Sequence, residues 1–314
     1  MNNNKYIVFY YASKGYIEYK TITEPEYQQY VGSIKYVLFY HKFQELFELV
    51  KINVFEFWSY LNDVSEKHRL NFIFADYNDV VDPILFTNQK ISNILSSFKT
   101  FEDHLKHQLS LLFGSDNKIL EGYNKGDKAM YDKYFGYRLF KRLRNYTQHY
   151  GLPIRTISFS RRGQSKNCKL EIYSVSPLMN KKELLQYKGW SSLKDEINNL
   201  ADSIDIREYV NEFFHAFKLI FKEVQEILST KYIISKAKLD QLYNECLIHS
   251  ADDIDKYKAL SLAVYIKANS DDKDKLMLPK DTINRIDRFE LRNISNSNIK
   301  DSVSFSLKID NIPL

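Results

Sequence analysis

Glycine and proline are scarce in this chain: nine and six of 314 residues, about 5% together against roughly 12% in ordinary globular usage. Turns draw on residues that accept positive φ or cannot continue a helix. The shortage therefore excludes a turn-dense β-sandwich, a glycine-rich nucleotide-binding fold and any collagen-like sequence. Cysteine is scarcer still. Cys168 and Cys246 cannot form a disulfide framework in so long a chain, and they stand in unrelated contexts that read as structural thiols. No uncharged apolar run reaches the ~18–20 residues that a transmembrane helix needs. The first fifteen residues, MNNNKYIVFYYASKG, hold a short Tyr-rich run without the long apolar core of a signal peptide, and read as a strand. The expectation is a mainly helical, cytoplasmic protein without a membrane segment.

Several chemical signatures are missing as well. There is no phosphate-binding glycine loop, no G-x-S-x-G elbow, no H-E-x-x-H and no Cys-x-x-Cys pair in the sequence. His104 and His107 sit three apart beside Glu102 and Asp103, a spacing that places ligands on one helix face. No third distant ligand accompanies them, so they read as an exposed helix face, and neither a metal nor a cofactor is expected. His41, His68, His215 and His249 are scattered and form no constellation.

What the chain has in abundance is aromatic residues, 24 Tyr and 21 Phe, set at helical spacing. Residues 5–21 read as two strands around Ser13-Lys14-Gly15, a hairpin. A helical region follows from Glu24 to about Lys67, with Tyr36, Phe39, Phe43, Phe47, Val50, Val54 and Phe57 recurring at three and four. Asp82-Pro83 predicts the start of the next helix, with Asp at the cap and Pro at the first position, and Gly114 its end. A polar loop, SDNKILEGYNKGD, then precedes a helix over about 128–150 that Gly151 and Pro153 terminate. Residues 154–175 predict a second hairpin, and after Pro177 the pattern is helical again: about 206–228, 235–248 and 252–268. Two short strands, FELRNI and SVSFSLKI, are expected near the end. This gives an N-terminal hairpin over 1–23, a helical domain over 24–270 with the hairpin 154–175 inserted, and a C-terminal segment over 271–314.

The net charge of +5 becomes informative once located. The window from Arg138 to Lys169 carries nine basic residues and no acidic one, so the rest of the chain nets about four negative charges. One-sign charge with Tyr146, Tyr150 and Phe159 interleaved suits a polyanion of phosphates and bases; the plainer reading is a solvated basic face. In the predicted helix 128–150, Phe135, Leu139, Leu143, Tyr146 and Tyr150 span a stripe about 80° wide. Arg138, Arg142, Asn145 and His149 fall within about 60° of one another, beside that stripe. Such a row can cap a helix and pair with acidic neighbours, but no carboxylate lies within reach along this stretch of sequence.

Arg144-Asn145, three further residues and His149 resemble the Arg-polar-x-x-x-His signature of HEPN-type domains, the higher eukaryote and prokaryote nucleotide-binding helical family. The likeness covers about residues 24–151, extending at most to the helices after 180. It implies a HEPN-like helical bundle with accessory β-hairpins, and a metal-independent endoribonuclease of the kind found in antiphage-defence and toxin–antitoxin systems. It also implies RNA as partner, a homodimer, and an antitoxin or defence partner protein. Arg144, Asn145 and His149 become the catalytic candidates, and Arg138, Lys141, Arg142, Tyr150, Arg155, Arg161 and Arg162 the RNA-binding ones. Two departures stand out. The helix ends almost at once after His149, and position 151 is Gly, so the His-x-Tyr extension modified by partner nucleotidyltransferases in some such toxins is missing.

The residue types fit that chemistry. Attack of an RNA 2′-hydroxyl on the adjacent phosphate needs a proton carrier that titrates near neutrality, as a histidine side chain does. Charge developing on the phosphate oxygens is stabilised by a guanidinium. Family pattern nominates Arg144 for that role. Helical geometry nominates Arg142, because Arg144 lies about 140° around the helix from His149. Since one helix offers one histidine, two chains packed across the apolar seam would complete a site. Two other readings remain: a non-catalytic nucleic-acid-binding or sensor module, and a helical scaffold in which the motif is accidental.

Overall fold

The computed structural model describes residues 6–12, 15–70, 78–114, 118–163, 171–250, 262–268 and 275–287. In chain order the elements are β1 (Tyr6–Ala12), β2 (Gly15–Ile22), α1 (Glu24–Leu70), α2 (Asn78–Phe113), α3 (Lys118–Lys133) and α4 (Phe135–His149). Then come β3 (Ile154–Gly163), β4 (Glu171–Asn180), α5 (Lys181–Gln186), a 3-10 turn (Lys188–Trp190), α6 (Leu193–Asn198) and β5 (Ser203–Asp205). The chain continues through α7 (Ile206–His249), β6 (Ala263–Ala268) and β7 (Leu276–Met277) to a last helix, α8, over 280–287. It is mainly helical with small antiparallel sheets. No helix among the described residues is long and apolar enough to cross a membrane. The described residues divide into two compact units, one holding those up to Gln44 and those from Gln225 to Asp287, the other Glu45–Val224.

In the first unit the expected hairpin forms: β1 and β2 pair antiparallel, and Gly15 supplies the positive φ, +100°, at the start of β2. The hairpin does not stand alone. β6 pairs with the other edge of β1 and β7 with β6, giving the order β2-β1-β6-β7. A capping box starts α1: the Thr23 N–H donates to Glu26 Oε2 at 2.8 Å and the Glu26 N–H to Thr23 Oγ1 at 3.4 Å. The α1 residue Tyr40 stacks on Tyr232 of α7 at 4.3 Å, and Tyr36 donates to the Leu228 carbonyl at 3.0 Å.

The second unit has a phenyl core. Phe47 of α1 stacks on Phe221 of α7 at 3.7 Å. Phe98 and Phe101 of α2 meet Phe217 edge-on, while Phe140 of α4 stacks on Phe213 at 4.6 Å. The start of α4 lies tight against α7. The Gly136 N–H donates to Glu212 Oε2 at 2.6 Å, placing a carboxylate at the positive end of the helix dipole. A Cβ on Gly136 would fall 2.8 Å from the Tyr209 carbonyl oxygen and 2.9 Å from Glu212 Cβ. Gly136→Ala should therefore cost about 1–3 kcal/mol by forced displacement, against a gain of at most about 1 kcal/mol in helix propensity. A lower urea midpoint with unchanged slope is the expected result; an unchanged midpoint would mean that α7 yields freely.

Several boundaries differ from the sequence reading. α2 begins at Asn78, so Pro83 lies inside the helix rather than at its first position. The stop at Gly114, with φ +75°, is as expected. The polar stretch after it is not a loop from Lys118 onward but α3, and the expected helix 128–150 is two helices broken at Tyr134, whose φ −113° and ψ 117° are extended. β4 passes through Pro177 to Asn180. It can do so because β5 pairs only with Leu178–Asn180, leaving no partner there for the missing N–H. α7 is continuous where two helices were expected, and Ala263–Ala268 is a strand rather than helix: Leu262, Val264 and Ile266 are buried in alternation. The turn residues 164–170 and the two expected C-terminal strands lie outside the described residues.

Candidate functional site

α4 carries the motif. Its buried residues are Gly136, Tyr137, Leu139, Phe140, Leu143 and Tyr146; Arg138, Arg142, Arg144 and Asn145 are half-buried and His149 is exposed. At 100° per residue the centre of the buried set lies roughly 150° from the row Arg138, Arg142, Asn145 and His149. The row thus faces away from the core rather than lying beside it. Leu139, Leu143 and Tyr146, the middle of the expected seam, are filled by the unit's own packing, so that seam offers no surface to a second chain.

The fold neutralises much of the basic stretch with carboxylates from distant elements, which the local sequence could not reveal. Arg138 reaches Glu196 at 2.5 Å and donates to the Tyr131 and Asp132 carbonyls. Lys141 lies between Asp127 at 2.5 Å and Glu102 at 2.9 Å. Burial pulls the Lys141 ammonium toward neutrality, but Glu102 and Asp127 outweigh it and hold its pKa above the ordinary lysine value. Tyr137 donates to the same Asp127 at 2.7 Å; burial first, then that carboxylate, pushes its phenol well up. Arg155 pairs with Glu183 at 2.6 Å. Arg138, Lys141 and Arg155, expected as RNA contacts, are therefore engaged in holding α4 and β3 in place. Arg161 and Arg162 belong to β3, with side chains outside the described residues.

The remaining members of the motif are left alone. Among the described residues the side chains of Arg142, Arg144, Asn145 and His149 make no hydrogen bond or ion pair. Arg144 Nε is buried without an acceptor. It sits on the flank of the buried face, about 80° from its centre by helical rotation, where packing encloses the start of the guanidinium. An unsatisfied buried donor costs about 1–3 kcal/mol.

At the end of α4 lies an aromatic group. Tyr146 is buried and stacks on Trp190 at 5.6 Å. The Trp190 indole N–H donates to the Leu184 carbonyl at 2.5 Å. Tyr187 meets Trp190 edge-on at 5.5 Å, and Tyr150, exposed, lies 5.7 Å from Tyr187 and donates to Gln186 Oε1 at 3.1 Å. Only Tyr150 of this outer pair was singled out in the sequence. Tyr187 lies 37 residues later, and nothing local distinguishes it.

The other candidates resolve simply. Cys246 is buried, and burial raises its thiol to about 12, as befits a structural thiol; Cys168 lies outside the described residues. Glu102 is buried and committed to Lys141. His249 bonds the Tyr10 hydroxyl through Nδ1 at 2.9 Å, and His215 meets Tyr134 edge-on. Comparison with protein-family models, curated proteins and solved structures gives no match to this chain.

Proposed function

We propose that this chain is a metal-independent endoribonuclease of HEPN type, with its site on the C-terminal half of α4. The observation that carries the reading is selective pairing. Carboxylates take up Arg138, Lys141 and Arg155, while Arg142 and Arg144, the arginines nearest Asn145 and His149, keep their side chains unpaired among the described residues. An unpaired guanidinium on the outward row, as Arg142 is, attracts an anion, and a phosphodiester can accept two hydrogen bonds from it.

In the proposed reaction the 2′-hydroxyl oxygen attacks the neighbouring phosphorus and the 5′-oxygen leaves. His149 exchanges the proton moved in that step, and an arginine stabilises the charge on the non-bridging oxygens. The product is a 2′,3′-cyclic phosphate and a free 5′-hydroxyl, with no water consumed. Because imidazole and guanidinium carry every role, cutting should persist in excess EDTA and leave cyclic-phosphate ends, read by mass spectrometry of the fragments. Loss of cutting with EDTA would sink the metal-independent mechanism.

A homodimer belongs to this proposal in altered form: the facing surfaces are the polar rows of two α4 helices, since the apolar stripe is already filled. Two such rows bring the unpaired Arg142 of each chain together, a surface that a polyanion neutralises. A defence or toxin–antitoxin setting, with an antitoxin or other partner protein, rests on the resemblance alone. One observation favours the rival, a nucleic-acid-binding module without turnover: among the described residues no group holds the His149 ring, whereas catalytic bases are generally oriented by a third group. RNA binding without cutting would select that rival.

A further inference from the structure

We infer that Tyr150 and Tyr187 form a base-stacking subsite beside the proposed cleavage site, which restricts the substrate to RNA with an unpaired nucleotide at that position. The inference rests on the ribonuclease reading for its substrate but on separate residues for its geometry. Tyr150 directly follows His149 and is 48% exposed. Its ring belongs to a cluster of four, of which the inner two, Tyr146 and Trp190, are buried and stacked on each other. The outer two, Tyr150 and Tyr187, lie 5.7 Å apart at 51°. An exposed aromatic ring backed by buried ones is costly as decoration, because it leaves apolar surface in water; as a platform for a nucleobase it is covered when the ligand binds.

The platform is also held in position. Tyr187 lies against the backbone of Gly189 so closely that a Cβ there would fall 2.3 Å from its ring. Gly189 therefore permits the ring position, and Gln186 fixes the Tyr150 hydroxyl. Pre-positioned rings lose little freedom on binding. Stacking on a tyrosine face requires a base out of its helix, since paired bases expose only their edges. The unpaired arginines on the same helix supply the phosphate contacts that such a platform lacks by itself.

The test uses the full chain and two RNA probes of one sequence, a single-stranded dodecamer with one 2-aminopurine and its fully paired duplex. The expected result is quenching of the fluorophore on the single strand and none on the duplex. Tyr150→Ala and Tyr187→Ala should each weaken single-strand binding by roughly five- to a hundredfold, while Tyr150→Phe, which keeps the ring and loses only the bond to Gln186, should weaken it less than Tyr150→Ala. Gly189→Ala, which removes no contact, should weaken it as well by pushing Tyr187 aside. Parental affinity in both alanine variants, or equal affinity for strand and duplex, overturns the subsite. Cutting measured in parallel separates the two readings. Quenching without cutting keeps the subsite and removes the ribonuclease; cutting unaffected by either tyrosine keeps the ribonuclease and removes the subsite.

Discussion

His149→Ala should lower the single-turnover rate of RNA cleavage by about 10²–10⁴, the usual loss when a positioned proton carrier is removed, with RNA affinity nearly unchanged. The side chain is exposed and makes no hydrogen bond among the described residues, so the substitution removes no packing. Thermal unfolding should coincide with that of the parent. That combination separates chemistry from structure: a folded, RNA-binding, inactive variant supports catalysis by the imidazole. If the variant cuts at the parental rate, the histidine is a bystander and the reaction, where present, belongs to other residues. If the parent binds RNA and never cuts it, the sensor or binding-module reading replaces the enzyme. His149→Gln offers a second control, since it restores a polar side chain that cannot shuttle a proton near neutrality. It should be as slow as His149→Ala.

How much of this was legible beforehand follows from the range of each signal. Short-range chemistry read well. Gly15 and Gly114 both take positive φ where a turn and a helix stop were expected, because only a residue without Cβ adopts that conformation cheaply. The hairpins and the main helices followed from period-two and period-3.6 patterns. Where two signals competed, the reading failed. The stretch after Gly114 is polar, yet it includes Ile119, Leu120 and Tyr123 at the spacing of an amphipathic helix; composition masked the period. Asp82-Pro83 has the chemistry of a helix start, but the helix continues upstream to Asn78 despite the bond that Pro83 cannot donate to the carbonyl four residues before it.

The larger failure lay in charge. Nine basic residues between Arg138 and Lys169 without an acid among them looked like one surface because sequence shows only neighbours along the chain. Glu102, Asp127, Glu183 and Glu196 come from other elements, and between them they engage three of the cations, Lys141, Arg155 and Arg138. The same blindness hid Tyr187, which reaches Tyr150 only through the fold. Residue identities of the motif were thus readable, whereas which cations remain available is a property of tertiary pairing. The helical angles were sound, but the assumed core side was not. The buried set centres on Leu143 and Gly136, which turns the polar row outward and brings Arg144 to the edge of the core.

Arg144→Ala should cut RNA roughly 10²–10³ times more slowly than the parent at saturating RNA, as when one transition-state donor is removed, while Arg142→Ala should mainly bind more weakly. The distinction follows from where each guanidinium lies. Arg142 is half-exposed, unpaired among the described residues and only about 20° around the helix from His149; it is placed to hold a substrate phosphate by charge. Its loss should reduce the salt slope of binding by about one unit. Arg144 has Nε buried without an acceptor. A donor held out of water and unsatisfied is strongest toward charge that appears only during reaction. Stability supplies the independent readout. Arg144→Met replaces an unsatisfied guanidinium with an apolar chain of similar reach, so its urea midpoint should equal or exceed the parent's while cutting is lost, the usual trade-off at a functional site. A structural arginine would instead lower the midpoint. If Arg144→Ala cuts at the parental rate and Arg142→Ala is inactive at saturating RNA, the roles are reversed: the row shared with His149 then holds the catalytic arginine.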